Sequence, residues 1–196
     1  MKFWEDLKAK AEWCYGSISV RTLLKTCLTD GTMAMLWYRL MQSASQWKLY
    51  PLAMIFNKCN AIFCQCIIGR GAVFGRRFVI IHSQGIVING SVIAGDDIKI
   101  EHQVTIGAER NVSPILGSDI FIGAGAKIIG PVQIGSHSKI GANAVVVKDV
   151  ESFTTVGGIP ARVLRIHNEN PSVKQDAATQ SMDDPTFHQS QKGSVL

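Results

Sequence analysis

The chain has 196 residues, 46% of them hydrophobic and 18% charged, with a formal net charge of +5, enough apolar material for one or two globular units with a packed core. Lys and Arg are scattered, and no aromatic-interleaved basic run or nucleic-acid motif appears, which argues against a nucleic-acid partner and leaves anionic small molecules or an anionic membrane surface. Five cysteines (Cys14, Cys27, Cys59, Cys64, Cys66), an odd number without a secretory signal, read as reduced thiols of a cytoplasmic protein.

In chain order, MKFWEDLKAKAEWC has no long uncharged apolar stretch, so it predicts neither a signal peptide nor a membrane span but an amphipathic helix. Helices follow over about 20–28 and 33–46, with TDGT at 29–32 supplying a turn and a cap between them. Pro51 starts a fourth at its first turn. The Trp, Met and Leu content of this segment also fits a helix lying on the inner face of a membrane; packing against a core or another subunit is the preferred reading. Residues 1–65 therefore form an α-helical segment. Residues 167–196, rich in Asn, Ser, Gln, Asp and Thr, read as a disordered tail.

Between these lies a repeat of period six. From Leu116 the frames LGSDIF, IGAGAK, IIGPVQ, IGSHSK, IGANAV and VVKDVE run without a break, and earlier frames start at Ile68, Phe74, Ile80, Ile88, Ala94, Ile100 and Ile106. Position one is always aliphatic or aromatic, position five mostly small, and Gly recurs at position two, where the absence of a Cβ permits a sharp turn at φ > 0. Such a repeat predicts a parallel β-helix over 66–166, each hexad one flat face and each first-position side chain pointing inward. Period two, which an ordinary sandwich requires, is not what the sequence shows. Two breaks interrupt the register: eight residues separate Ile80 from Ile88, around His82–Gly85, and ten separate Ile106 from Leu116, around AERNVSP. Insertions in a solenoid form loops on one face, often the binding face.

The repeat resembles the left-handed β-helix of the hexapeptide-repeat acyltransferases, and HSQGIVING, IEHQVTIG, IGAGAKIIG, IGANAVVVKDV and VGGIPARV resemble the motifs of the serine acetyltransferase branch. The resemblance implies acetyl-CoA as cosubstrate, no metal, and a trimer whose sites lie between neighbouring prisms, with a hexamer as the alternative. It places His82 as the general base, for which an imidazole is suited near neutral pH, and His102 as a contact to acceptor or thioester. It places Ala124 and Ala142 along the pantetheine arm, and Lys148 and Arg165 at the CoA phosphates. The expected acceptor contacts are Ser83 and Gln84 beside His82, Glu101 beside His102, and Arg110, Asn111 and Ser113 of the loop.

The sequence departs from that branch where it binds its amino acid. Carboxylates expected immediately before the histidine and fifteen residues earlier are replaced by Ile81 and Ile67, and Ser113 stands in place of a loop histidine. An ammonium in a closed site needs a carboxylate partner, so these changes predict a neutral acceptor: a sugar hydroxyl in exopolysaccharide, capsule or O-antigen synthesis. They also leave His82 without its usual carboxylate, which Glu101 or a neighbouring subunit would have to supply. A serine O-acetyltransferase of cysteine biosynthesis is the second reading. A non-catalytic or metal-binding β-helix protein is the third.

Overall fold

The computed structural model describes residues 2–167, so all but His167 of the tail expected at 167–196 lies outside the described residues. Four helices occupy the N-terminal segment: α1 (Lys2–Tyr15), α2 (Val20–Cys27), α3 (Thr32–Gln46) and α4 (Tyr50–Cys64). Ser19 opens α2 with a capping box, its Oγ accepting from the Thr22 N–H at 3.2 Å while Thr22 Oγ1 accepts from the Ser19 N–H at 2.8 Å. Pro51 sits in the first turn of α4. In the TDGT turn, the hydroxyls of Thr29 and Thr32 both donate to the Thr26 carbonyl at 2.7 Å. The threonines therefore close the helix before the turn, not the one after it, and the Asp30 carboxylate is left for another task.

From Cys66 the chain winds as a left-handed β-helix of three parallel sheets. Frame-leading residues stack coil upon coil. Ile68, Ile88, Ile106, Ile128 and Val146 form one column; Phe74, Ala94, Leu116 and Ile134 a second; Ile80, Ile100, Ile122, Ile140 and Val156 a third. All are buried, as are the fifth-position residues of the unbroken frames from Leu116 on, Ser138 among them, whose hydroxyl donates to the Glu151 carbonyl at 2.9 Å. Each coil offers only short strands, so removal of apolar columns from water between coils supplies the core. The final strand, Arg162–Ile166, turns back antiparallel on Thr154–Gly157 and closes the third sheet.

The second-position glycines are required for a different reason from the one expected. They do not have positive φ; the left-handed residues are others, at the coil corners. Instead successive coils approach closely at these glycines: a Cβ on Gly123 would lie 2.7 Å from the Ala142 nitrogen, and one on Gly69 2.3 Å from the Gly90 Cα.

The helices cover the first coil. Tyr38 of α3 donates to the Ala72 carbonyl at 3.1 Å, accepts from the Phe74 N–H at 3.0 Å, and packs edge-on against Phe74 and Phe78. Arg39 of α3 and Asp6 of α1 form a buried bidentate pair at 2.6 and 3.0 Å, and Asp6 also accepts from the Phe78 N–H at 2.9 Å. One continuous apolar core runs from Ala34 in α3 to Val156 near the end of the solenoid. Helices and solenoid thus fold as one body through Ile166.

Candidate active site

His82 and His102 follow strands of the third sheet and precede strands of the first, so both stand on one edge of the prism. Strand register places Ala124 and Ala142 on the same edge, one coil and two coils further along. The edge is tied by backbone bonds from Gly125 N–H to the His102 carbonyl (2.9 Å) and from Asn143 N–H to the Ala124 carbonyl (2.8 Å). Two imidazoles followed by two methyl side chains make a corner that is polar at one end and backbone-accessible at the other. The His82 and His102 rings lie 6.0 Å apart at 76°.

The carboxylate missing from the sequence motif is supplied by the helices. Asp30 Oδ2 lies 3.3 Å from His82 Nδ1, and Asp30 Oδ1 accepts from the Ser83 hydroxyl at 3.0 Å and from the Gly31 N–H at 2.8 Å. Partial burial alone would push the Asp30 carboxyl up, but the hydrogen bonds from Ser83, Gly31 and His82 hold it below the ordinary carboxylate value. A carboxylate at Nδ1 fixes the ring orientation and leaves Nε2 as the nitrogen that can take a proton from a substrate. Gly31 makes this approach possible. It has φ of +79°, and a Cβ there would lie 2.4 Å from the Ile80 carbonyl oxygen, so any side chain would lever the turn, and Asp30 with it, off the first coil.

Of the acceptor contacts expected from the sequence, Ser83 is buried beneath Asp30. Gln84 is exposed, with its carbonyl accepting from the Gln103 N–H at 2.8 Å. Glu101 lies against His102, its Oε2 3.6 Å from Nδ1, an electrostatic contact too long for a strong hydrogen bond. Arg110 and Asn111 form the tip of a tight hairpin, both left-handed (φ 48° and 66°), closed by reciprocal bonds between Glu109 and Val112. That hairpin joins the first sheet to the second, so it stands on a different prism edge from His82. Ser113 is buried, its hydroxyl bonded to Ser91 Oγ (2.8 Å) and Asn89 Oδ1 (3.1 Å).

At the far end of the solenoid Lys148 shares a hollow with Asp149, Ala161 and Arg162. Arg165 stands opposite Thr155 on the last strand, outside that lining. Among the described residues no three metal-ligating side chains converge, and no helix is long and apolar enough to cross a membrane. Cys64 and Cys66 are buried and free, and burial pushes the Cys66 thiol up to about 12.

Sequence reasoning passed over three groups at this site: Asp30, which reads as a turn residue; Lys10, buried under the turn; and Arg162. Only the first had a usable signal, an Asp-Gly step at a helix break in a chain whose histidine lacks its usual carboxylate.

The coiled fold with this edge of histidines and alanines defines a hexapeptide-repeat transferase. Residues 113–148 match the family described as bacterial transferase hexapeptide (six repeats). The serine acetyltransferase of Bacillus subtilis is 33% identical over 172 residues, spanning 85% of this chain and 78% of that protein. The crystal structure of Neisseria gonorrhoeae serine acetyltransferase superimposes with a TM-score of 0.80 at 29% identity, covering 89% of this chain and 69% of that one. Serine acetyltransferase from Brucella abortus, solved in complex with coenzyme A, gives 0.77 at 27% identity, covering 85% and 67%. The chain belongs to the serine acetyltransferase family.

These relatives overturn the expectation of a polysaccharide O-acetyltransferase with a glycan acceptor. The inference failed because it required the site's carboxylates to come from positions 67 and 81. Asp30 reaches His82 from the helical segment instead, and Glu101 stands beside His102, so the edge that carries the two histidines is not stripped of negative charge.

Proposed function

We propose that the protein transfers the acetyl group of acetyl-CoA to the hydroxyl of L-serine, giving O-acetyl-L-serine and CoA. The Asp30–His82 pair in a chain of this family carries the reading. In the reaction, His82 Nε2 takes the serine hydroxyl proton as that oxygen attacks the thioester carbonyl. The tetrahedral intermediate then collapses, the C–S bond breaks, and the imidazolium returns the proton to the departing sulfur. General-base assistance of this kind supplies on the order of 10²–10⁴ in rate, and Asp30 holds the tautomer and balances the transient imidazolium.

His102 is assigned to the thioester or acceptor oxygen, next to His82 on the same edge. The pantetheine arm runs past Ala124 and Ala142, whose small side chains leave backbone groups open, towards phosphates met by Lys148 and Arg165, with Arg162 beside Lys148. Glu101 is the partner for the serine ammonium, and Arg110 and Asn111 are contacts for its carboxylate. Because the hairpin occupies a different prism edge from His82, this assignment calls for a second subunit, in agreement with a trimer in the cytoplasm. CoA release from acetyl-CoA with L-serine, by the wild type and by His82→Ala, tests the reading: turnover lost in the variant supports it, and a wild type inert towards serine overturns it.

A further inference from the structure

We propose that Lys10 is a positioning residue of the site, a buried cation that fastens the carrier of Asp30 to the carrier of His82; this rests on the reading of His82 as the base. Lys10 lies on α1 and is 1% exposed. Its ammonium donates to the backbone carbonyl of Asp30 and, at 3.3 Å, to that of Ile81, the residue before His82. Three segments distant in sequence are thereby pinned at one nitrogen. Gly31, pressed against the Ile80 and Ile81 carbonyls, closes the same joint from the side of the turn.

Energetics favour a role in geometry over one in stability. Both acceptors are neutral carbonyls, and the charged or titratable groups facing Lys10 are Cys14 on its own helix, Asp30 on the turn and Glu101 on the next coil. Burial pulls the ammonium down to about 8 despite the attraction of these groups. A buried cation held mainly by dipoles is costly, and an unbranched apolar side chain such as Met would fill the space without that cost. What Met cannot do is donate two hydrogen bonds. With the joint loose, Asp30 would no longer be held at Nδ1, and displacements of about 1 Å at a reacting group cost on the order of 100-fold in rate.

The test is a double-mutant cycle on the full chain with Lys10→Met, Asp30→Asn and both. The expected result is a kcat about 10- to 100-fold lower for Lys10→Met, an unchanged KM for acetyl-CoA and a thermal midpoint that does not fall. In the Asp30→Asn background the same substitution should cost almost nothing, since the group it positions is gone. A second readout needs no acceptor: ring 15N shifts of selectively labelled histidine, the His82 signals identified by their loss in His82→Ala. Lys10→Met should move them in the same direction as Asp30→Asn. Losses that multiply in the double variant, or unmoved 15N signals, would overturn the proposal. A wild type that fails to turn over serine sinks the acceptor assignment alone, because the 15N comparison still decides Lys10. If the Met variant does not fold, Lys10→Leu is read on both axes with the same expected and overturning results.

Discussion

Asp30 Oδ2 faces His82 Nδ1 across 3.3 Å of space and 52 residues of chain. Asp30→Asn keeps the shape and removes the charge, which should lower kcat by about 10²–10⁴ through loss of the correct tautomer. KM for acetyl-CoA should be unchanged. Steady-state CoA release checks this, and a variant with full kcat would mean that another group orients the ring.

Gly31→Ala should be costly in two ways. The new Cβ would meet backbone, not a movable side chain, and its φ of +79° is one that alanine resists. A loss of about 1–3 kcal/mol in urea unfolding is expected, together with a fall in kcat larger than the stability loss explains, because the turn carries Asp30.

Lys10 makes stability depend on alkaline pH. Its folded value near 8 lies below the ordinary 10.5, so between the two the unfolded chain binds the extra proton and the Lys10 contribution to stability rises with pH, against an opposite contribution above pH 9 from the buried Cys66 thiol. The penalty is fully present below about 8 and is relieved on approaching 10.5, by an amount on the order of 3 kcal/mol. Lys10→Met should flatten this rise and be at least as stable as wild type at pH 7. Denaturant melts across pH 7–10.5 measure both.

Asp6→Ala would strand the Arg39 guanidinium in the core, since both partners are buried and Asp6 also holds the Phe78 N–H. Breaking one side of a buried pair costs about 3–5 kcal/mol. Replacing both residues by apolar ones should be far milder than the single change, and equal losses would contradict the pairing argument.

The solenoid was legible because its physics is local. Six residues make a face, and each frame-leading side chain from Ile68 to Val146 must point inward for the coil to close. The four helices were legible from spacing and from Pro51. Asp30 was not, because its role exists only after α1 and α3 have docked on the first coil, and its one signal, the Asp-Gly step at a helix break, does not by itself separate a carboxylate that caps a helix from one aimed at a histidine. The acceptor was misread for the same reason: Ile67 and Ile81 record where charge is absent, while the replacement arrives from another part of the chain. The second-position glycines were located correctly and explained wrongly, since period alone does not separate a tight turn from a close approach of backbones.

The docking of Asp30 also means that the helical segment cannot be regarded as a detachable handle. A chain cut back to its prism would keep the histidines and every apolar column, and would lose the Asp30 oxygen that faces His82. Shortening this protein from its N-terminus should therefore cost activity and stability together, because the same helices hold Asp30 at His82 and cover the first coil.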